Sequence, residues 1–555
     1  VADLCLARAH EAVATAVPER EALVHGPVRR TFANVTNRTR RLAAALLQRG
    51  LITEPGGPVD GVRPWECPQD RIALYLHNRP EYLEAMLGCC KARAVPVNVN
   101  YRYRAEELHY LFDDAAARVI VYETGFGAPL GEVLPDLAHR PALVHLEDET
   151  GTPPLPGSVP YETLIETGDP TAVDDVARRW SPSDRYILYT GGTTGMPKGV
   201  LWRQGDWLVS ALGADPPGDS TAEALVALAE RARVREQRIL PAPPFMHGAA
   251  HWNAFSSWLV GGTVVIQDRP ASLDAADVLE TADREAVTTL LIVGDAFARP
   301  LVDELRRSPR PLPHLRHVIT SGAQLSEDTK EEILDLLPRV KIVDILGSSE
   351  SGRQAVERSD SGGTVRTGRF ELSDTAAVVS EDCTRVLEAG DDELGWLAKE
   401  GRVPTGYLGD PAKSATTFPV IEGRRFSVPG DRARHRADGS IELHGRDSVT
   451  INTGGEKVFA EEVEHVLKRH PAVFDAVVAP RASPQWGQEV AAVVQLRPGV
   501  EVADEDLRAH TKARLAGYKA PHTIVRVPAV LRSPAGKADY RWAREQVEGP
   551  PGGDA

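Results

Sequence analysis

Lysine is scarce in this 555-residue chain, with eleven against 53 arginines, so every lysine that falls inside a motif is conspicuous. Cysteine is sparse too. The five, Cys5, Cys67, Cys89, Cys90 and Cys383, are odd in number and show no C-x-x-C spacing, which excludes a disulfide framework and a zinc ribbon. A reducing, cytoplasmic setting is expected, with Cys89 and Cys90 as buried apolar residues behind Met86-Leu87-Gly88. No apolar run approaches the ~20 residues of a membrane span, and Val1-Ala2-Asp3 has no basic-then-apolar export pattern, so a soluble, unexported protein is expected. Positive charge is short overall. A net charge of −15 argues against nucleic acid or an anionic membrane as the main partner, so any bound anion must meet a local cluster of cations.

What is present is ordinary globular composition, 42% hydrophobic and 26% charged, which excludes disorder and coiled coil. At about 100–200 residues per domain the length predicts three to five compact units. From Arg71 onward short β-branched runs alternate with amphipathic stretches, the pattern of strands joined by crossover helices. Strands are expected at 72–76, 95–99, 118–122, 288–293, 316–320 and 341–346, and a helix at 80–93. Residues 148–160 read as a surface loop, and 215–238 as an exposed helix inserted between strands. Near residue 447 the pattern changes to a small α+β unit, with helices at 460–470 and 503–516 and strands at 474–479, 489–496 and 524–527. The fold class is therefore α/β: a large N-terminal body of several subdomains with mixed sheets and helices (1–446), a small mobile α+β C-terminal domain (447–547) and a flexible tail (548–555). A hinge is expected between Gly445 and Ile451.

The strongest motif follows the strand-like 185–188: Tyr189-Thr190-Gly191-Gly192-Thr193-Thr194-Gly195-Met196-Pro197-Lys198-Gly199. Glycines let backbone N–H groups close on an anion, threonine hydroxyls add donors, and Lys198 supplies a point charge. The string is a polyphosphate cradle in chemical terms. It is not a Walker A loop, because Lys198 is preceded by Pro197 and followed by Gly199.

This loop closely resembles the signature of the AMP-forming adenylating enzymes, the superfamily of acyl-CoA synthetases, luciferases and peptide adenylation domains. Further segments match in the family's order, from about residue 20 to residue 545: Pro243-Pro244-Phe245-Met246-His247-Gly248, Ser321-Gly322-Ala323-Gln324-Leu325, Leu346-Gly347-Ser348-Ser349-Glu350, Gly430-Asp431, Gly445-Arg446, Gly454-Gly455-Glu456-Lys457, and Ser533-Pro534-Ala535-Gly536-Lys537. The resemblance implies ATP contacts from Thr190, Gly191, Gly192, Thr193, Thr194, Gly195, Lys198, Gly322, Ala323, Gln324, Gly347, Ser348, Ser349, Glu350, Asp431 and Arg446. Within that set Glu350 and Thr190 would hold Mg²⁺, Asp431 would take the ribose hydroxyls, and Arg446 would contact ribose and phosphate. Lys537 would be the catalytic lysine of a swinging loop, and Lys198, Glu350 and His247 would complete the reacting centre. His247, His251, Trp252, Asn253 and Gln324 would form the acid pocket. Taken without the family, a satisfied core histidine beside Met246 and Phe245 competes with the pocket role of His247, and Glu350 reads as a solvated loop charge.

Three departures stand out. Leu346 replaces a tyrosine often found against adenine, Ser349 replaces threonine while keeping the hydroxyl, and Ser448 occupies a hinge position that commonly bears Asp or Lys. The stretches 96–103, 345–350 and 451–458 look most like actinobacterial fatty-acyl and steroid-side-chain CoA ligases. What the resemblance implies is an ATP-dependent ligase that adenylates a carboxylic acid, releases pyrophosphate and passes the acyl group to a thiol, with coenzyme A as the expected acceptor. The same motifs would serve transfer to an amine or a carrier, or diazotisation of an aryl amine with nitrite. Monomer and homodimer are equally open.

Overall fold

The computed structural model describes residues 3–549 apart from 58, 193–194, 364, 366–368, 447–449, 454–455, 484–486 and 534–535. The architecture is mixed α/β, a large body followed by a smaller one. In the large body six strands lie parallel in the order Glu21–His25, Thr263–Ile266, Arg238–Pro241, Thr289–Ile292, His317–Ser321 and Lys341–Ser348. Strands such as Thr263–Ile266 and Thr289–Ile292 are buried along their whole length, because helices such as Ala275–Arg284 and Gly294–Arg307 pack on the sheet. A second parallel sheet joins Val95–Asn98, Arg71–Tyr75, Ala117–Glu123 and Ala142–Leu146.

The strands Arg71–Tyr75, Val95–Asn98, Ala117–Glu123, Thr289–Ile292, His317–Ser321 and Lys341–Ser348 and the helix Pro80–Lys91 fall where the sequence pattern placed them, whereas Glu21–His25, Ala142–Leu146, Arg238–Pro241 and Thr263–Ile266 were not expected. That helix is buried on every side, and its Glu81 and Glu84 are neutralised by Arg30 and Arg38. Cys89 and Cys90 lie in the same helix, both buried, and burial pushes the Cys89 thiol well up. Within 215–238 the helix is Thr221–Val234, capped by Ser220 and Glu223. It is not wholly exposed: Ala224, Leu228 and Ala232 are buried in the main core. Beyond Lys341–Ser348 the sheet turns antiparallel, beginning with Gly352–Ser359 and including the pair Asp431–His435 and Ser440–Arg446.

The small body has its own sheet, Glu456–Phe459, Thr450–Thr453, Gly487–Leu496, Val473–Ser483 and Thr523–Arg526, and its own apolar core around Val463, Leu467, Val478 and Val490. Its helices are Ala460–Lys468, Asp504–Lys512 and Tyr540–Glu548. The last was not foreseen, because only Ala543 and Val547 of its nine residues are buried and the rest is mostly polar.

Among the ties between the two bodies, which include Arg469 beside Glu327 and Asp328, one side chain makes the most hydrogen bonds. Arg299, on helix Gly294–Arg307, donates to the carbonyls of Lys468 (3.0 Å), Val473 (3.3 Å) and Phe474, at and just beyond the end of the small body's first helix. Charge-assisted bonds of this kind are worth about 1.5–3 kcal/mol each. Arg299→Met should therefore loosen the docking of the small body and enlarge the radius of gyration in small-angle scattering. An unchanged radius would show that the clasp holds nothing.

Candidate active site

The parallel strands His317–Ser321 and Lys341–Ser348 are neighbours, with Ser321 opposite Ile345. Their carboxyl ends deliver Gly322 and the 347–350 turn to one place, the edge where α/β sheets usually receive ligands. Gly322 has φ +86°, and a Cβ there would stand 3.9 Å from Cε of Lys537. The catalytic-lysine candidate of the small body is thus held over the strand end of the large one. Gly536, at φ +70°, allows this approach, since a Cβ would press on Val293 and Ala296 at 3.1 and 3.2 Å.

The phosphate-loop candidates sit on a hairpin, Arg185–Gly192 against Gly195–Arg203, in which Thr190 faces Lys198 across the ladder. Thr193 and Thr194 lie outside the described residues, as do Ser448 and Gly454-Gly455 of the hinge region. For Gly191, Gly192, Gly195, Gly445, Arg446, Glu456 and Lys457 only the backbone is described. Lys198 Nζ donates to Asp410 Oδ2 at 2.7 Å and lies 5.8 Å from the centre of the Tyr407 ring. The Tyr407 hydroxyl donates to Glu350 Oε1 at 2.9 Å, and the Glu350 carbonyl accepts from Ser427 Oγ at 2.6 Å. Tyr407 therefore stands between the two charged groups that a metal–polyphosphate would need, and burial beside Glu350 pushes its hydroxyl well above the phenol range.

Sequence reasoning missed Tyr407 and Asp410. Asp410-Pro411 reads as a helix cap followed by proline at the first helical position, and Asp410 does cap Pro411–Thr417, but that pattern says nothing of its bond to Lys198 or of Tyr407. Asn98 was also missed. Its amide donates to the carbonyls of Tyr189 and Met246, both at 2.8 Å, and its Oδ1 accepts from the Tyr189 N–H at 2.7 Å, pinning the hairpin to the His247 segment.

Gly347 needs to be glycine, since a Cβ would meet the Gly352 carbonyl at 2.3 Å. Ser348 and Ser351 share a hydroxyl bond of 2.9 Å, and the Ser349 carbonyl accepts from Trp202 Nε1 at 3.0 Å. Asp431 is buried and begins its strand opposite Arg446, after Gly430 at φ +103°. Gln324 is exposed and Ala323 half-buried. The Gln324 carbonyl accepts from the Asp295 N–H at 3.1 Å.

The pocket candidates separate into two groups. His247 precedes helix Gly248–Trp258, and its Nε2 is buried without a partner among the described residues. Burial, with Lys537 and His251 nearby, pushes its pKa down to about 3. His251 is enclosed instead, with Nε2 2.5 Å from the Tyr186 hydroxyl and Nδ1 2.6 Å from the Phe245 carbonyl. Trp252 donates to the same Tyr186 hydroxyl at 2.8 Å, and Asn253 donates to the Ala249 carbonyl at 2.7 Å. Of these four candidates, His247 is the one whose ring nitrogen is left for a ligand to meet.

The donor set suits a hard cation held partly by phosphate. Glu350 and Thr190 offer oxygens, and no group of three His, Cys, Asp or Glu side chains that could hold a metal occurs among the described residues. Magnesium takes one or two carboxylates plus phosphate oxygens in this way, rather than an all-protein cage. Between the two bodies runs a cavity of about 220 Å³ whose walls include Arg102, Pro244, Phe474, Arg532 and Gly536.

Comparison with known proteins defines the class. The family model "AMP-binding enzyme" matches residues 10–391, and "AMP-binding enzyme C-terminal domain" matches 462–537. The chain belongs to the AMP-binding enzyme family. It is 44% identical over 539 residues to the medium-chain acyl-CoA ligase Mig of Mycobacterium avium, covering 97% of both chains. It is 38% identical over 540 residues to a 3-oxocholest-4-en-26-oate–CoA ligase of Rhodococcus rhodochrous, covering 96% of this chain and 94% of that one. Among solved structures, the anthranilate CoA ligase AuaEII in complex with anthranoyl-AMP aligns with a TM-score of 0.79 at 21% identity over 98% and 97% of the two chains, a likeness of fold. No helix among the described residues is long and apolar enough to cross a membrane.

The histidines yield a test. A neutral buried imidazole takes up its proton below the ordinary value near 6.5, so the unfolded chain binds protons that the folded one refuses, and the contribution of His247 and His251 to stability falls as pH drops below that value. The folded values are about 3 and about 4. Ring signals of both residues should stay fixed in an NMR titration from about pH 8 to about pH 5. A midpoint near 6.5 for either would contradict that burial.

Proposed function

We propose that this protein is an ATP-dependent, AMP-forming ligase that activates a carboxylic acid and passes it to a thiol, coenzyme A, in the cytoplasm. The observation that carries the reading is the position of Lys537: brought from the small body, it stands over Gly322 and near His247, one strand away from the 347–350 turn.

In the first half-reaction a carboxylate oxygen attacks the α-phosphorus of ATP, and the bond from that phosphorus to the bridging oxygen breaks, releasing pyrophosphate. Lys537 steers the carboxylate and balances the charge that builds on the α-phosphate oxygens. Lys198 and the loop N–H groups take the departing phosphates, Asp431 and Arg446 fix the ribose, and Gly322 to Gln324 with Gly347 to Ser349 flank the base. Magnesium would be held by Glu350 and Thr190 and supplies positive charge to the polyphosphate. His247, neutral, lines the acid's end of the site and moves no proton.

In the second half-reaction the thiol sulfur bonds to the acyl carbon, the acyl–phosphate bond breaks, AMP leaves, and the thiol proton passes to solvent. For this the small domain, taken as 447–547 after a body of 1–446, rotates about the stretch between Gly445 and Ile451. That motion would withdraw Lys537 and bring up the face carrying Gly454 to Lys457. The relatives named as acyl-CoA ligases support coenzyme A as the thiol.

The reading is tested with Lys537→Ala. Carboxylate-dependent ATP–pyrophosphate exchange should fall by about 100-fold or more, the usual loss for a group that stabilises transition-state charge. Thiolysis of a supplied acyl-adenylate should fall far less. Full exchange in that variant would refute the role of Lys537, and formation of ADP in place of AMP would refute the reaction class.

A further inference from the structure

Helix Gly248–Trp258 buries Ala250, His251, Ala254 and Phe255, while Ala249, Trp252, Asn253 and Ser256 stay half-buried. The second set has i, i+3, i+4, i+7 spacing, so one stripe of the helix is less covered than the rest along about 10 Å. The stripe starts beside His247. It ends at Ser256, whose hydroxyl donates to the Leu212 carbonyl at 2.7 Å.

The residue after Leu212, Gly213, has φ +66°, and the Arg353 guanidinium lies over it: Nη1 is 3.4 Å, and Cζ and Nη2 are 3.7 Å, from where a Cβ would stand. Arg353 follows Glu350 by three residues and sits opposite Gly347 at a bulge in the ladder. Its side chain is half-buried and makes no hydrogen bond or ion pair among the described residues. Other buried guanidinium groups face carboxylates, as Arg30, Arg93 and Arg532 do, or collect backbone carbonyls, as Arg299 and Arg71 do; Arg353 has neither among the described residues. At Arg353, burial and the neighbouring Arg358 push the pKa down, yet a guanidinium does not give up its proton, so the charge stays and lacks a counter-charge.

Its surroundings share the deficit. Lys399 Nζ donates to Ser210 Oγ (2.6 Å), the Arg353 carbonyl (2.6 Å) and the Ser210 carbonyl (3.4 Å), all neutral acceptors. The adjacent Gln354 amide is fully buried with neither its oxygen nor its nitrogen paired among the described residues. A guanidinium without a carboxylate, a lysine that burial pulls down to about 7 and that bonds only neutral oxygens, and an unpaired amide lie at the end of a half-buried stripe that begins at the reacting centre, and together they are the making of a receptor for an oxygen acceptor.

We propose that Arg353 is a specificity-determining residue that reads a hydrogen-bond-accepting oxygen, of a ketone or a second carboxylate, at the far end of the acid whose reacting carboxylate lies beside His247. This rests on the adenylation reading above. Arg353 would bind the distal oxygen and leave the chemistry to Lys537.

The test uses three acids of matched length, ending in methyl, in a ketone and in a carboxylate. ATP–pyrophosphate exchange and direct binding without ATP, followed by tryptophan fluorescence, are both measured. In the native enzyme one oxygen-terminated acid should exceed the methyl-terminated one by about 10- to 100-fold in kcat/KM and in affinity, the worth of one charge-assisted hydrogen bond. Which of the two oxygens wins identifies the acceptor. The ratio should fall toward one in Arg353→Met and return in part in Arg353→Lys. Preference for the methyl-terminated acid, or a ratio untouched by Arg353→Met, overturns the proposal. A ratio seen in binding when no acid supports exchange upholds the role of Arg353 and overturns adenylation instead.

Discussion

The approach of the small body to the site rests most heavily on one guanidinium that lies outside its reacting centre. Arg299 collects three carbonyls from the small body, two of them in consecutive residues, and so fixes the approach of a segment more than sixty positions further along the chain. The Lys468 carbonyl, at the end of a helix, is short of a donor and carries the negative end of its dipole, so a buried cation satisfies it twice over, while Val473 and Phe474 open the strand that follows. Because the contacts are to backbone, they hold the position of the element and make no demand on its side chains. Gly536 and Lys537 inherit their placement from this joint, the first by packing on Val293 and Ala296, the second by reaching the space above Gly322.

Within the large body the same economy recurs. Asn98 bonds the Tyr189 and Met246 backbones together, and Tyr407 connects the surroundings of Lys198 with Glu350. These are neutral amide and phenol groups placed between chain segments distant in sequence. They give the charged residues a fixed frame in a molecule whose overall charge is −15. Strong local positive charge is thereby kept to few positions, which suits binding a polyanion without general affinity for polyanions.

Much of this was legible beforehand, and the reason is physical. A parallel strand buried on both faces writes a continuous apolar run, as Thr289–Ile292 does, while His317–Ser321, with one face less covered, shows instead through its buried Val318 and Thr320. A phosphate cradle needs several glycines and hydroxyls in one short string, a combination with few other uses. Antiparallel strands such as Arg369–Leu372 and Asp431–His435 interleave arginines with their apolar residues and were not assigned from the sequence. Helix Tyr540–Glu548 escaped notice because its buried face is two residues wide. Asn98, Tyr407 and Asp410 were hidden for another reason: each acts on a partner about 57 to 212 positions away, and no local pattern encodes such a pairing. Arg353 was equally silent among 53 arginines until burial separated it from the surface ones.

The bond between Lys198 and Asp410 sets the terms on which an anion enters. In the proposed reaction a phosphate reaching this lysine would exchange with a carboxylate already seated at 2.7 Å. Entry is then a competition between two anions for one cation. A weakly charged visitor loses that competition, whereas a chain of phosphates, holding on through the loop N–H groups at the same time, wins it by contacts that Asp410 cannot make. On the proposed reading, the pairing favours a ligand long enough to grip the loop at more than one point over one that meets the lysine alone.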